Sequence, residues 1–317
     1  MRGRVFLAII VFLGVCNVAG QVGPSPADLA REEQQRRRNE LDVQRRMSDL
    51  HLLEQQLRIA NRKARVLAPE PTLLGEAKAR VLRLRRVSSD DASRYSEFLK
   101  LPNSGLIKLF PDLGCISKNV IRVSADCERF VPLSSAFKFR TNSYADNIYH
   151  DVKFANDELS SDSFFSQGIL TSLGDEPIEN ITGQHPALKF LTEYQPVVNV
   201  KDAASQARNF HTGVSSGGYL YSDRLRPTEQ HTYALRFIGY RLENGLPPIS
   251  DETSMDEMMF HSLAYDKRVD LLIIFRVLSR DEYQGITLVW RELQRIDPPK
   301  IKFAKNQQLK DFRPERK

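Results

Sequence analysis

The chain has few of the residue patterns that common metal and cofactor sites require. Its 317 residues include three cysteines and six histidines. The cysteines lack the C-x-x-C pairing of structural zinc sites, and the histidines lack the H-E-x-x-H spacing of zinc proteases. The sequence also lacks a glycine-rich loop that carries a lysine and leads into a helix, the arrangement that cradles phosphates. We therefore expect no metal ion and no cofactor.

Apolar runs long enough to cross a membrane are also lacking. The N-terminal run spans residues 5–15, with two arginines before it and the small residues Ala19 and Gly20 after it. This order predicts a secretory signal peptide over residues 1–20 that is cleaved near Gly20. A membrane-spanning helix needs about 20 apolar residues. We therefore expect an exported protein, periplasmic or secreted, without a transmembrane span in the mature chain.

Export determines how the cysteines are interpreted. Cys16 lies within the signal peptide, and lipoprotein processing there is a minor alternative because Val15 is bulkier than the small residue that such sites prefer. Cys115 and Cys127 remain in the mature chain, and an oxidising compartment lets them pair. We expect a disulfide between them, and two separate buried thiols are the alternative.

Positive charge is unevenly distributed along the chain. The formal net charge is +6, and arginines are dense between residues 31 and 86. After Gly105 the two signs are closer to balance. The basic excess therefore belongs to the N-terminal region, and export argues against nucleic acid as its partner.

A long charged helix is predicted for residues 21–68. Ser25, Pro26 and Asp28 form a helix start signal, and the prolines at 69 and 71 end the helix. In its second half, apolar residues recur at alternating steps of three and four, which places them along one side of the helix. We call them the seam: Leu50, Leu53, Leu57, Ala60, Ala64 and Leu67.

Three roles for this helix remain open. The seam favours a coiled coil that joins copies of the chain into a homo-oligomer, although it covers little more than two heptads. Alternatively, the seam packs on the globular domain of the same chain. The arginines at 36–38 and 45–46 favour a third role, in which the helix binds an anionic envelope surface such as phospholipid headgroups or an acidic polymer.

The rest of the chain divides into a connector, a domain and a tail. Residues 69–104 form a helical connector, in which Ser88 and the acids after it start a new helix. Residues 105–300 contain short segments rich in β-branched and aromatic residues, which are typical of strands. We predict an α+β domain built on a mostly antiparallel sheet, followed by a basic tail at 301–317.

Two hairpins are predicted in the C-terminal third. The first joins strands at 217–223 and 231–241, and the second joins strands at 268–279 and 285–295. The short connections require antiparallel pairing, because a parallel crossover needs a dozen or more residues. The number of strands leaves open whether the sheet closes into a barrel.

One strand is predicted to lie at the centre of the sheet. Residues 271–278 are apolar on both strand faces except for Arg276, so both faces should be covered. Helical pieces near 187–194 and 202–209 lie between strands and are expected to cover one face.

Three arginines form a candidate site for an anionic ligand. Arg236, Arg276 and Arg291 each lie in a different predicted strand. If the register aligned them on one face, they would form a basic stripe able to bind an anionic ligand or polymer. Solvated residues on neighbouring strands are the alternative interpretation.

Residues 213–217 read G-x-S-x-G, a pattern that can place a nucleophilic serine on a tight elbow. An elbow needs a strand before the serine and a helix after it, whereas this sequence predicts a helix before and a strand after. His211 is the nearest candidate base, and the sequence places no acid to orient it. We interpret the segment as a turn, with catalysis by Ser215 and His211 as the weaker alternative.

These patterns favour a non-enzymatic, exported interaction or binding protein. An exported serine hydrolase that uses Ser215 is one alternative. A carrier of a small amphiphilic ligand is another, because residues 164–173 combine aromatic and polar side chains that would suit a pocket lining. Core packing is the simpler interpretation of the same segment.

Overall fold

The computed structural model describes residues 33–35, 37–38, 75–117, 120–121, 124–145, 148–243 and 263–302. The chain divides into two compact units, Met1–Asn61 and Arg62–Lys317. The five described residues of the first unit are helical, and Arg37 forms an exposed ion pair with Glu33 at 2.9 Å. The signal peptide, the seam and residues 303–317 of the tail lie outside the described residues.

The described part of the second unit contains four α-helices. They are α1 (Gly75–Leu84), α2 (Ser89–Arg94), α3 (Pro186–Glu193) and α4 (Val200–Thr212). The predicted cap at Ser88 is confirmed, since its Oγ accepts a hydrogen bond from the Asp91 backbone N–H at 3.0 Å. The side chain of Asn199 caps α4 in the same way. Short 3-10 helices lie at Phe98–Lys100, Ala125–Arg129, Phe139–Thr141, Ile178–Asn180 and Leu263–Tyr265.

Five antiparallel strands form the central sheet. In chain order they are β1 (Ser104–Leu109), β8 (Ser166–Gly174), β12 (Thr232–Gly239), β14 (Asp270–Arg280) and β15 (Ile286–Ile296). Their spatial order is β1-β15-β14-β12-β8. The predicted hairpin between β14 and β15 is confirmed, with Phe275 opposite Trp290.

The prediction of a doubly covered central strand is confirmed by β14. It occupies the middle position of the sheet, and nine of its eleven residues are buried. The strand is apolar on both faces because both faces are packed. The chain must therefore supply one layer on each side of this sheet.

A second five-stranded sheet covers one face of the central sheet. In chain order its strands are β4 (Ala136–Lys138), β5 (Ser143–Tyr144), β6 (Val152–Ala155), β7 (Glu158–Ser160) and β11 (Arg224–Leu225). Their spatial order is β11-β7-β6-β4-β5. The space between the two sheets is filled by large side chains, among them Phe137, Phe154, Phe237, Phe275 and Trp290. Aromatic pairs such as Phe139 and Trp290, with ring centroids 5.1 Å apart, join the layers.

The described residues also contain further pairs of short strands. The strands β2 (Ile116–Ser117) and β3 (Val120–Ile121) pair with each other, as do β9 (Val214–Ser216) and β10 (Tyr219–Tyr221). The strands β13 (Arg241–Leu242) and β16 (Lys300–Ile301) pair in parallel. The fold is therefore mixed α+β with mostly antiparallel pairing, as the sequence predicts.

Backbone contacts join the two sheets along both sides. On one side Leu170 of β8 bridges Ser222, and the chain continues into β11 of the second sheet. On the other side Asp112, just beyond β1, bridges Ala155 of β6. Gly168 permits the close approach on the first side, because a Cβ there would lie 1.9 Å from Ser161 Oγ.

Helices cover the other face of the central sheet. Leu188 and Leu191 of α3, together with Val200 and Phe210 of α4, are fully or almost fully buried there. The segment before β1 also contributes, since Tyr95 and Phe98 pack into the same cluster, the latter in its 3-10 helix. Helix α1 packs elsewhere on the domain, where its Val81 contacts Phe110 and Val131 in a small separate cluster.

The prediction that the strands at 217–223 and 231–241 form a hairpin is wrong. The strand β10 pairs with β9 instead, whereas β12 pairs with β8 and β14. The physical reason is the turn at Gly217 and Gly218, whose φ angles of 58° and 84° suit a tight two-residue hairpin. After β10 the chain crosses to the second sheet before it returns as β12.

The predicted disulfide is confirmed. Cys115 and Cys127 are bonded, with their Cα atoms 5.7 Å apart. The side chain of Cys115 is fully buried, whereas Ile116 next to it is half exposed. The bond therefore anchors the strands β2 and β3 to the body of the domain.

We expect replacement of both cysteines by serine to lower the free energy of unfolding by about 3 kcal/mol, the loop-closure value for a short cross-linked segment. Urea unfolding of the oxidised protein and the double variant would measure the difference. A reducing agent should lower the stability of the wild-type protein to that of the variant. Equal stability of all three samples would contradict a stabilising role for the bond.

Candidate functional site

The candidate serine lies on a short exposed hairpin. Ser215 occupies the middle of β9, directly opposite Leu220 of β10, and both residues are exposed. Helix α4 precedes β9, with Gly213 between them at a φ of 98°. The order of elements is therefore helix then strand, as the sequence predicts, and it is opposite to that of a nucleophile elbow.

An acid lies beside His211, although the sequence pattern did not indicate one. Asp223 Oδ2 is 3.0 Å from His211 Nδ1, and a terminal nitrogen of Arg224 is also 3.0 Å from this ring atom. Arg224 Nε donates to the other oxygen of Asp223 at 3.0 Å. The backbone N–H of Asp223 donates to the Phe210 carbonyl at 3.0 Å, which holds the acid beside the end of α4. The carboxylate is thus shared between an arginine and a histidine.

The three arginines of the predicted stripe lie on one face of the central sheet. Arg276 is directly opposite Thr232, Arg236 lies four residues further along β12, and Arg291 is opposite Ile274. Because every second residue of a strand shares a face, the three side chains project toward the same layer. This is the face that α3 and α4 cover.

The guanidinium of Arg236 binds acceptors inside the protein. It forms a bidentate ion pair with Asp270, at 2.9 and 2.8 Å. Its remaining terminal nitrogen donates to the carbonyls of Leu191 and Tyr194 at 2.5 and 2.6 Å. These carbonyls belong to the end of α3, where helical partners are missing, so Arg236 caps the helix.

Arg276 is held by backbone carbonyls. One terminal nitrogen donates to Asp175 and Glu176 at 3.0 and 2.8 Å, and to Thr232 Oγ1 at 2.9 Å. The side chain of Arg276 is buried, whereas Arg291 is partly exposed. Within the described residues, Arg291 Nε has no hydrogen-bond partner.

The densest group of buried charges lies where the two sheets meet. We call it the charge network: Arg140, Asp151, Asp266 and Arg268. Arg140 donates to Asp151 through one terminal nitrogen and to both oxygens of Asp266 through the other, at 2.9 Å. Arg268 Nε lies 3.0 Å from Asp266, and its terminal nitrogens donate to the Phe164 and Phe165 carbonyls at 3.1 Å.

This network connects elements that are far apart in sequence. Arg140 follows β4 and Asp151 precedes β6, both in the second sheet, whereas Asp266 and Arg268 precede β14 of the central sheet. The Arg140 guanidinium also lies 4.9 Å from the centre of the Phe237 ring of β12. The ion pairs therefore connect the two layers.

Burial is the largest cause of the pKa shifts of two residues in the network, Asp151 and Arg268. It raises the pKa of Asp151, although the charge of Arg140 and the hydrogen bond from its backbone act in the opposite direction. Burial also lowers the pKa of Arg268 to about 10, against the charge of Asp266. Perturbed groups can mark functional sites, but ion-pair networks that support the structure shift pKa values in the same way.

Other candidate features are accounted for by packing. The segment 164–173 forms the entry to β8 and most of that strand, and its Phe165, Ile169 and Leu170 are fully or almost fully buried in the core. His150 is also buried, with Nε2 3.6 Å from Asp162 Oδ1. Within the described residues, no group of three or more His, Cys, Asp or Glu side chains could hold a metal ion.

Neither a membrane-spanning helix in the described residues nor a similar known protein was found for this chain. No helix in the described ranges has the length and apolar character that crossing a membrane requires. Searches found no matching family model, curated protein or solved structure.

The substitution Arg140→Met should lower the free energy of unfolding by about 3 to 5 kcal/mol at neutral pH, because it leaves Asp151 buried without its main cation. The loss should shrink as the pH falls. The folded-state pKa of Asp151 already lies above its ordinary value, and losing the cation raises it further, so protonation favours the folded state. Urea unfolding at neutral pH and at about pH 5 would measure both effects.

Lys100→Met is the matched control. Lys100 pairs with Glu97 at 2.6 Å, but both side chains are mostly exposed. This control should change stability by less than about 1 kcal/mol at either pH. An Arg140 variant that behaves like the control would show that the charge network does not stabilise the fold.

Proposed function

We propose that this chain is an exported, non-enzymatic binding protein that acts through its surfaces and assembles through its N-terminal helix. The observation that carries the proposal is the filled space between the two sheets. Trp290, Phe237 and Phe275 are among the large side chains that occupy it. The disulfide between Cys115 and Cys127 is compatible with an oxidising compartment.

The filled interior favours surface binding over the carrier alternative. A pocket for a small amphiphile typically encloses several hundred cubic ångströms and is lined by apolar groups. Here the apolar groups contact one another, as in the stack of Tyr233 on Phe275 with ring centroids 5.4 Å apart. Arg236 and Arg276, which the stripe hypothesis assigns to an anionic ligand, bind acceptors within the protein.

A second candidate function is a serine hydrolase. The pairing of His211 with Asp223 favours it, because an acid can orient a histidine that acts as a base. The position of Ser215 argues against it. This serine lies on an exposed strand after a helix, without the strained turn that activates such serines.

Labelling with a fluorophosphonate would separate the two functions. We expect no stoichiometric adduct on the wild-type protein, because within the described residues the Ser215 hydroxyl has no hydrogen bond to a histidine that could act as its base. Intact-mass measurement after labelling would detect the adduct. Loss of an observed adduct in Ser215→Ala, with retention in Ser216→Ala, would establish the hydrolase and overturn our choice.

Assembly through the seam can be tested in the mature chain, residues 21–317. We expect light scattering to show an oligomer, and the double substitution Leu53→Glu with Leu57→Glu to yield monomers. Charged residues in an apolar seam oppose helix pairing because they would be buried without partners.

The matched control replaces Gln55 and Gln56, which lie off the seam, by glutamate. It changes the net charge by the same amount and should leave the oligomer intact. A monomeric wild-type chain would contradict assembly through the helix. Circular dichroism of every variant would verify that the domain is folded.

A further inference from the structure

Helix α1 and the turn after it are strongly basic. Residues 75–86 read GEAKARVLRLRR, which contains five basic residues and one acid, Glu76. A concentration of positive charge on a short helix attracts partners that carry negative charge. The orientation of each basic side chain determines which of them could contact such a partner.

Two of the basic side chains contact the domain. Arg80 donates to the Glu128 carbonyl at 3.2 Å. Arg85 donates to Ser134 Oγ at 2.8 Å, and its guanidinium lies 3.5 Å from the centre of the Tyr144 ring. With Val81 buried between them, these contacts fix which face of α1 lies on the domain and which faces solvent.

The other three basic side chains belong to an outer, solvent-exposed face that is formed by α1 and the turn after it. Lys78, Arg83 and Arg86 are exposed, and no ion pair joins them to a carboxylate in the described part of the chain. At about 100° per residue, Lys78 and Arg83 lie on either side of Leu82, which is about 100° around the helix from the buried Val81, and Arg86 follows the end of the helix. The side chain of Leu82 is exposed, with a relative accessibility of 58%.

We propose that this outer face of α1 binds the surface of an anionic phospholipid bilayer. Lys78, Arg83 and Arg86 contact the headgroup phosphates, and Leu82 enters the boundary between headgroups and acyl chains. The long aliphatic stems of the basic residues lie along the interface while their charges stay in the polar layer.

Leu82 is the reason for choosing a bilayer over a soluble polyanion. A polyanion offers charge to the three basic residues, but it gives an exposed leucine no apolar environment. A bilayer offers both. Because Arg80, Arg85 and Val81 hold α1 on the domain, the outer face meets the bilayer as a rigid surface, with little loss of conformational entropy.

The inference rests on the proposed function, because it names an anionic bilayer as one partner that the binding protein contacts. It does not depend on the seam. Light scattering of each variant in the test below would show whether assembly is intact, so a failure of membrane binding and a failure of assembly are distinguishable.

Vesicle sedimentation of the mature chain tests the proposal. Vesicles of phosphatidylcholine with a minority of phosphatidylglycerol should bind the protein, and vesicles of phosphatidylcholine alone should bind it far less. Each basic residue near such a surface strengthens binding about fivefold. The triple substitution Lys78→Gln, Arg83→Gln and Arg86→Gln should therefore weaken binding by roughly a hundredfold.

The matched control removes three exposed basic residues from the other helices: Lys189→Gln, Lys201→Gln and Arg208→Gln. It changes the net charge equally and should keep binding within about threefold of wild type, since these residues lie away from α1. An equal loss in both triple variants would show that overall charge, and not this face, attracts the protein, and would overturn the proposal.

Leu82→Ser distinguishes a bilayer from a polyanion. It should weaken binding to the anionic vesicles about tenfold and leave binding to a soluble polyanion such as polyglutamate unchanged. Retention of full vesicle binding in Leu82→Ser would overturn the bilayer assignment. Absence of binding by the wild-type chain to anionic vesicles would overturn the proposal as a whole.

Discussion

The architecture of the domain follows from the burial of the central strand β14. It is apolar on both faces, so it is stable only where a layer covers each side. The second sheet provides one layer, with an aromatic core between the sheets. Helices α3 and α4 provide the other. The α+β architecture follows from the need to remove both faces of one strand from water.

Arginine side chains provide hydrogen bonds to the buried carboxylates and backbone carbonyls within these layers. Arg236 pairs with Asp270 and caps α3, Arg276 binds the carbonyls of Asp175 and Glu176, and Arg140 connects the two sheets. The planar guanidinium with five donors suits such sites, because it can satisfy several acceptors at once. The consequence for function is that these charges are already occupied within the protein.

The basic residues fall into two groups, those bound to groups inside the protein and those exposed to solvent outside the layers. Arg236 and Arg276 of the central sheet bind internal acceptors, whereas Lys78 and Arg83 of α1 and Arg86 after it face solvent. The pair of His211 and Asp223 is the remaining candidate for a catalytic site, and it lies at an exposed edge of the domain. Both observations favour a function at the surface of the domain, because its core is filled by the protein's own side chains.

Features that depend on local pattern and composition could be predicted before the structure was known. The pairing of Cys115 with Cys127, the hairpin of β14 with β15, the helices α3 and α4 and the order of elements around Ser215 could all be predicted, because each follows from neighbouring residues or from a count. Tertiary structure decided the pairing of β10 with β9, the burial of Arg236 and the contact between His211 and Asp223. These depend on register and on which distant segments pack together, and periodicity within one segment carries no information about either.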